Sequence, residues 1–121
     1  MAYSEPYDAI DEKTRDISRA ITSLREELEA IDWYNQRVNT TTDQELKGVM
    51  AHNRDEEIEH AVMAFEWLRR NVAGFDENMK TYLFTEGSLL EVEDTATGAE
   101  GTATASAGPK AGGMTIGNLK N

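Results

Sequence analysis

The sequence predicts an all-α protein: a two-helix antiparallel hairpin, a short third helix and a disordered C-terminal tail. Two long stretches without an internal proline carry apolar residues at spacings of three, four and seven, the period of amphipathic helices. A polar Asn-Thr-Thr-Thr break at 39–42 separates them, and a segment rich in Gly, Ala, Thr and Glu follows the third helix. The expected organisation is a helical domain at 1–90, a flexible linker at 91–113 and a short terminal peptide at 114–121.

The first helix is expected to start at a cap on Ser4 and to end near residue 38. A serine side chain satisfies free N–H groups at a helix start, and Pro6 is tolerated in the first turn. The apolar stripe of this helix consists of Ile10, Ile17, Ile21, Leu24, Leu28, Ile31 and Val38. Glu27 lies at the edge of that stripe, about 40° from Ile31 and about 20° from Tyr34 in projection. Trp33 lies nearly opposite the stripe, so burying its ring needs a second contact surface.

The second helix is expected to begin with the Thr-x-x-Glu capping box at 42–45 and to end near Arg70. Its apolar stripe consists of Leu46, Met50, Ala61, Ala64, Trp67 and Leu68. Glu57 falls near the middle of the same stripe, with Asn53 one turn before it and His60 one turn after it. Because burying an unpaired carboxylate is costly, something must compensate, and we expect a metal ion.

A short third helix is expected from about Phe75 to Thr85, where Gly87 ends it. The polar, low-complexity composition of 91–113 predicts a linker with nothing to bury. The final eight residues, 114–121, regain apolar side chains at Met114, Ile116 and Leu119. A linker that ends in a short apolar motif is typical of a tethered docking peptide, and a ragged terminus is the alternative.

Composition excludes several classes of function. With 121 residues the chain forms one domain, and with no cysteine it has neither disulfides nor thiolate metal sites. A net charge of −11 argues against nucleic acid and anionic membranes as partners. No apolar run approaches the length of a membrane span, and the N-terminus lacks the features of a signal peptide. The sequence therefore predicts a cytoplasmic protein without a membrane partner.

The candidate ligands form half of a known type of metal site. Di-iron carboxylate sites in four-helix bundles use one Glu from each of two helices and a Glu-x-x-His pair from each of the others. This chain has one candidate of each kind, Glu27 and the pair Glu57 and His60. Two long helices also cannot bury both of their stripes alone, so a second copy related by a two-fold axis is expected. Carboxylates with one imidazole favour iron over zinc or copper.

Other interpretations remain open from the residues alone. A Glu-x-x-His spacing occurs by chance on solvated helices, and a buried Glu and His can form a polar network in a non-enzymatic assembly module. A different di-metal oxidase or a peroxidase fits the same ligands. His52 lies off the stripe and is expected at the surface, whereas Asn53 either binds a ligand carboxylate or sets the register of the bundle. Tyr34 is expected to pack, with a hydrogen bond near the site as the minority alternative.

Several longer motifs resemble the encapsulated ferritins, over roughly residues 10 to 90. They are Glu26-Glu27-Leu28-Glu29-Ala30-Ile31-Asp32-Trp33-Tyr34, Ala51-His52-Asn53-Arg54-Asp55-Glu56-Glu57-Ile58-Glu59-His60, Glu66-Trp67-Leu68-Arg69-Arg70 and Tyr82-Leu83-Phe84-Thr85-Glu86-Gly87. The terminal stretch Thr115-Ile116-Gly117-Asn118-Leu119-Lys120 is similar to the peptide by which cargo proteins dock inside encapsulin shells. The resemblance implies a half-ferritin hairpin that dimerises into a ferritin-like four-helix bundle.

The resemblance also implies a function. Members of this family pair, the pairs form a decameric ring, and each pair makes a ferroxidase centre that oxidises Fe(II) with O2. Carried over by motif, the ligands of a di-iron centre with two irons per dimer are Glu27, Glu57 and His60. Trp33 and Tyr34 match aromatic positions near that centre. Glu26 and Glu29 match an acidic patch that holds metal ions on their way into the centre. The expected setting is an encapsulin nanocompartment that stores the iron, bound through Met114–Asn121.

Overall fold

The computed structural model describes residues 3–99, and those residues form helices and no strand. A 3₁₀-helical turn comes first, followed by four α-helices. Their bounds are Tyr7–Ala9 for the turn, Glu12–Thr40 for α1, Gln44–Asn71 for α2, Ala73–Tyr82 for α3 and Leu89–Ala99 for α4. The chain divides into two compact units between Asn71 and Val72. No helix among the described residues is long and apolar enough to cross a membrane.

Helix α1 starts later than the cap at Ser4 predicts. Asp11 is the residue that caps it, because its Oδ1 accepts a hydrogen bond from the Thr14 N–H at 2.8 Å. The same hydrogen bond lowers the pKa of the Asp11 carboxyl. The helix ends where Thr41 adopts extended backbone and donates its N–H to the Arg37 carbonyl. Ser4 is therefore not the cap, and a separate 3₁₀ turn precedes α1.

The start of α2 also differs from the predicted capping box by one residue. The carboxylate of Asp43, rather than the hydroxyl of Thr42, accepts a hydrogen bond from the Leu46 N–H, at 2.8 Å. The Asp43 carbonyl then accepts the first helical hydrogen bond from Lys47. Adjacent Thr and Asp side chains compete for this position, and the charged acceptor binds the positive helix end more strongly.

Helices α1 and α2 pack against each other as an antiparallel hairpin. Lys13 near the start of α1 donates to Asn71 Oδ1 at the end of α2 at 2.6 Å, while Arg54 donates to Asn35 Oδ1 at 3.1 Å. A residue near the start of α1 therefore pairs with the end of α2, and a residue further along α1 pairs with an earlier residue of α2, so the two helices are antiparallel. The predicted hairpin is confirmed.

The hairpin buries very little by itself. Among the described residues only Ala61 and Leu68 are buried, both on α2. The large apolar side chains left exposed on the two helices are Ile21, Leu28, Trp33, Leu46, Val49, Ile58, Val62, Met63 and Trp67. Trp33 is half exposed, in keeping with its position opposite the stripe of α1. A helix pair with so small a core requires further helices to cover its apolar faces.

The second unit contains α3, α4 and the turn between them. Helix α3 begins two residues before the predicted start and ends at Tyr82, where the Leu83 N–H bonds to the Met79 carbonyl. Tyr82 is half-buried, and this burial is the main cause that raises the pKa of its hydroxyl. Two residues of the turn have left-handed backbone, Phe84 with φ 62° and Gly87 with φ 89°.

Helix α4 was not predicted from the sequence. It continues from Leu89 to Ala99 and so crosses the predicted boundary at residue 90, where a linker over 91–113 is expected. Ser88 explains the start of this helix, because its hydroxyl oxygen accepts the Glu91 N–H at 3.4 Å. Alanine and glutamate, which the low-complexity composition also contains, are themselves good helix formers. The remainder of the linker and the terminal peptide 114–121 lie outside the described residues.

The burial of Leu68 gives a direct test of the hairpin core. Its side chain is 1% exposed. We expect Leu68→Ala to lower the free energy of unfolding by about 2–5 kcal/mol, because it removes buried methyl groups and leaves a cavity. Urea unfolding followed by circular dichroism measures this at one fixed chain concentration, since association also contributes to stability.

The matched control is Val62→Ala on the same helix, whose side chain is 61% exposed. We expect that change to stay within about 0.5 kcal/mol of the wild type. Equal effects of the two substitutions would contradict the assignment of Leu68 to the core of the hairpin.

Candidate metal centre

Two of the predicted ligands lie on α2, three residues apart and on one face. His60 Nδ1 lies 3.2 Å from Glu57 Oε1. Residues at this spacing are neighbours on a helix surface, so the carboxylate and the imidazole can approach one ion together. Both side chains are half-buried, which is consistent with their place on the apolar stripe of α2.

The third predicted ligand approaches from α1. Glu27 is half-buried at the interface with α2, and its Oε1 lies 3.7 Å from the same imidazole nitrogen of His60. One donor atom of each of Glu27, Glu57 and His60 lies within 4.8 Å of the others. Among the described residues, these three form the one cluster of acidic and imidazole side chains close enough together to hold a metal ion.

Two carboxylates at such close range repel each other when both are negatively charged. The hydrogen bond to Glu57, with burial as a second cause, raises the pKa of the Glu27 carboxyl. The hydrogen bonds from Glu27 and then from His60 lower the pKa of Glu57. The raised pKa of Glu27 and the lowered pKa of Glu57 mean that Glu57 gives up its proton more readily, in keeping with its shorter distance to the imidazole. The hydrogen bond to Glu57 also raises the pKa of His60.

This charge arrangement suits a cation. A metal ion held by Glu27, Glu57 and His60 would offset the repulsion between the two carboxylates, and His60 would supply a neutral nitrogen once it is deprotonated. Two oxygen donors and one nitrogen donor match the preferences of iron. Three donors from one chain do not complete the coordination of such an ion, so positions remain for other ligands or for an oxidant.

The other predicted site residues lie outside this cluster. Glu26 and Glu29 are exposed on α1, and Trp33 is exposed as well. Tyr34 is half-buried, and the guanidinium of Arg37 lies 5.6 Å from the centre of its ring. The roles predicted for these side chains are not tested by their positions and stay predictions.

Two further polar residues of α2 have different surroundings. His52 is exposed, as predicted, and its Nε2 lies 3.7 Å from a carboxylate oxygen of Glu56. Asn53 is half-buried, and within residues 3–99 its side chain has no hydrogen-bond partner. Both alternatives for Asn53, a ligand contact or a register contact, therefore need a group from beyond the described residues.

A cross-helix bond beside the cluster was not predicted from the sequence. Arg54 Nη1 donates to Asn35 Oδ1 at 3.1 Å, one turn before Glu57 on α2. It fixes the register of α1 against α2 where the ligands meet. No periodic pattern signals such a bond, since it joins residues 19 positions apart that have ordinary surface polarity.

Comparison with known proteins gives a family for this arrangement. The EncFtn-like family matches residues 2–86. The chain is 51% identical over 120 residues to an encapsulated ferritin-like protein of Rhodospirillum rubrum, covering 96% of this chain and 86% of that protein. It is 52% identical over 101 residues to a ferritin-like protein of Thermotoga maritima, covering 83% and 89%.

Two further relatives extend the comparison. An encapsulin nanocompartment cargo protein, EncC of Myxococcus xanthus, is 32% identical over 94 residues, covering 73% of this chain and 72% of that protein. The crystal structure of protein ne0167 from Nitrosomonas europaea is 56% identical, with a TM-score of 0.72, and covers 74% of this chain and 99% of that chain. These matches confirm the resemblance drawn from the sequence motifs. The chain belongs to the EncFtn-like family of encapsulated ferritin-like proteins.

Proposed function

We propose that this protein is a ferroxidase that oxidises Fe(II) to Fe(III) with O2 as the electron acceptor. The observation that carries the proposal is the convergence of Glu27, Glu57 and His60 across the α1–α2 interface. Iron is the substrate of this reaction rather than a permanent part of the protein. The carboxylates hold the harder Fe(III) product, and the imidazole favours a transition metal over magnesium or calcium.

The proposed centre forms between two copies of the chain. Each copy supplies two carboxylates and one imidazole, and a two-fold axis doubles the set to two Glu27, two Glu57 and two His60 around two irons. Two Fe(II) ions supply one electron each, so the pair delivers two electrons to O2 from one place. A single copy lacks half of these ligands.

Exposed apolar side chains support this pairing. Leu46 and Trp67 share the helix stripe of Glu57, yet both remain exposed in the single chain. A second hairpin laid on this face would cover them and complete a ferritin-like four-helix bundle. In the proposed assembly the dimers join into a homodecamer, which is the arrangement that the family resemblance implies.

Residues around the cluster receive proposed roles in the supply of iron. Glu26 and Glu29 are exposed carboxylates one helical turn or less from Glu27, and they would hold cations on their way to the centre. Trp33 and Tyr34 would line the same region and limit access of water to the irons. These four assignments rest on the family resemblance and on position along α1.

The proposed setting is the interior of an encapsulin compartment. Relatives are named as encapsulated or as nanocompartment cargo, and the terminal peptide Met114–Asn121 resembles the docking peptide of such cargo. Fe(III) released from the centre would be stored as mineral within that shell.

A non-enzymatic role has one observation in its favour. The three polar side chains already contact one another without a metal, because Glu57 lies beside both Glu27 and His60. Such a network could serve only to fix the register of a helical assembly module. This alternative requires that the purified protein bind no stoichiometric iron and that a chelator leave its assembly unchanged.

Anaerobic Fe(II) titration followed by exposure to O2 tests the proposed function. We expect one iron per chain, hence two per dimer, and a fast oxidation phase recorded by absorbance. In Glu57→Ala we expect stoichiometric binding and the fast phase to be lost. The substitution removes the carboxylate that contacts both of the other candidate ligands, Glu27 and His60. Native mass spectrometry of the same sample gives the copy number.

Glu59→Gln is the matched control, since Glu59 is an exposed carboxylate that points about 160° away from Glu57 on α2. Its oxidation rate should equal that of the wild type. An unchanged initial rate in Glu57→Ala would remove Glu57 from the centre. Absence of stoichiometric iron in the wild type would favour the polar-network alternative.

The raised pKa of His60 predicts how iron affinity depends on pH. Glu57 and Glu27 stabilise the protonated imidazolium, so protons still compete with the metal at pH values above the usual 6.5 of histidine. We expect Fe(II) affinity to fall as pH decreases through this raised pKa, by up to about tenfold per pH unit for each proton displaced. At pH values well above it the affinity should level off.

Anaerobic competition against a chromophoric chelator measures this dependence between about pH 8 and about pH 5.5. His52→Gln, which changes the exposed histidine of α2, should keep the wild-type profile. A flat profile in the wild type would show that the imidazole of His60 is not a ligand.

The docking function of the terminal peptide is separable from oxidation. We expect removal of residues 114–121 to leave the rate of Fe(II) oxidation unchanged, because the candidate ligands all lie in the hairpin. Packaging by a co-expressed encapsulin shell should stop. Co-purification of the shortened chain with assembled shells, at the level of the full chain, would refute the docking assignment.

A further inference from the structure

Arg54 of α2 forms a hydrogen bond to α1 close to the candidate ligands. Its Nη1 donates to Asn35 Oδ1 at 3.1 Å, and its Nε donates to Asp55 Oδ1, also at 3.1 Å. The Arg54 side chain is 27% exposed, so most of it is withdrawn from solvent. A guanidinium held by two acceptors presents its donors in a fixed plane, and the bond to Asn35 therefore resists sliding of one helix past the other.

The bond lies on one side of the metal cluster, toward the turn at 41–43. On α2, Arg54 precedes Glu57 by three residues, which is about 4.5 Å of helix rise. On α1, Asn35 follows Glu27 by eight residues, which is about 12 Å. A contact this near to the ligands of both helices can control how those ligands face each other.

The buried side chains of the hairpin lie on the other side of the cluster. Ala61 and Leu68 are the buried side chains among the described residues, and both follow the α2 ligands along the chain. Toward the turn, Leu46 and Val49 of α2 remain 46% and 45% exposed. Because tightly packed side chains resist relative movement of two helices, the core holds only one side of the cluster. On the turn side, Arg54 supplies a polar contact between the helices in place of a core.

We infer that Arg54 is a positioning residue of the metal centre. By binding Asn35 across the hairpin, it holds α1 in the register that places the Glu27 carboxylate beside Glu57 and His60. Glu27 Oε1 lies 3.7 Å from His60 Nδ1, and a site of this kind needs its donors held to within about 0.5 Å. The inference rests on the proposed function for the metal, but not on the oxidation step.

The direction of the effect separates positioning from electrostatics. Arg54 carries a positive charge about one turn from Glu57, so its removal alone would favour a bound cation by reducing charge repulsion. Loss of positioning has the opposite sign, because the Glu27 carboxylate then converges less well with the ligands of α2. A lower metal affinity after removal of this positive charge therefore identifies positioning.

Arg54→Met in the full-length protein tests the inference. The substitution keeps a long unbranched side chain and removes the donors. We expect Fe(II) affinity, measured by anaerobic competition against a chromophoric chelator, to fall about tenfold. Co(II) bound in place of Fe(II) should show an altered visible absorption spectrum, because displacement of Glu27 changes the ligand set. A role in stability alone would leave the spectrum of the bound Co(II) unchanged, and that result would overturn the inference.

Lys13→Met is the matched control. It also removes one positive charge and one cross-helix hydrogen bond, the one to Asn71 Oδ1 at 2.6 Å. Lys13 lies 14 residues before Glu27, about 21 Å along α1, and on α2 the buried Leu68 lies between this bond and the cluster. We expect its Fe(II) affinity and Co(II) spectrum to match the wild type. An equal loss of affinity in Arg54→Met and Lys13→Met would overturn the assignment.

A double-mutant cycle tests whether Arg54 acts through Asn35. Asn35→Ala leaves the charge unchanged and places a good helix former at an exposed position, so the helix itself is not weakened. We expect it to lower Fe(II) affinity as Arg54→Met does, and the double variant to be no weaker than either single variant, since all three lack the same bond. Additive losses would show that Arg54 acts by another route.

The register of the helices can also be measured without metal, because the chain has no cysteine of its own. Arg25→Cys on α1 and Glu59→Cys on α2 place spin labels at two exposed positions near the cluster. Dipolar spectroscopy of the metal-free double-labelled chain, diluted into excess unlabelled chain, gives the distance within one chain. We expect Arg54→Met to shift or broaden this distance distribution and Lys13→Met to leave it unchanged.

The distance measurement distinguishes failure of this inference from failure of the proposed function. An unchanged distribution in Arg54→Met would overturn the positioning role, whatever the metal affinity. If the proposed function fails, the wild type binds neither Fe(II) nor Co(II) in stoichiometric amounts, while the distances still respond to loss of the bond between Arg54 and Asn35.

Discussion

The placement of two carboxylates and an imidazole on the apolar stripe of a helix pair is the constraint from which the rest of the structure follows. Glu27 and Glu57 meet across the α1–α2 interface, where their contact raises the pKa of Glu27 and lowers the pKa of Glu57. His60 adds a third polar group to the same seam. A hydrophobic substitution there would pack more favourably in a simple hairpin, so the polar set makes sense for a protein that binds a cation.

The same stripe explains why the single chain is incomplete. The seam between two helices buries only Ala61 and Leu68, and the polar set occupies space that would otherwise close the core. Large apolar side chains therefore remain exposed on both helices and at the α3–α4 turn. In the proposed assembly, the addition of further copies would supply both stability and the missing ligands, so that folding and metal binding would be linked.

Helix periodicity in the sequence was sufficient to predict the hairpin, the shared helix face of Glu57 and His60, and the position of Glu27 opposite them on α1. These depend on spacing within one helix, which the backbone geometry fixes at 3.6 residues per turn. Helix ends were predicted less well. At both starts, an aspartate caps the helix in preference to a nearby hydroxyl, at Asp11 and at Asp43. Several residues near each boundary could act as caps, and only the local backbone decides among them.

The sequence by itself determined the all-α class, the two long helices and the three side chains that meet, because each follows from local periodicity and from the cost of burying charge. Only the tertiary structure decided the register of α1 against α2, with the Arg54–Asn35 bond beside the cluster, and the opposite directions in which the pKa values of Glu27 and Glu57 shift. It also decided that α4 extends the helical region and that Phe84 is held outward. Distances across an interface and left-handed turns depend on contacts far apart in the chain, which no spacing within one helix encodes.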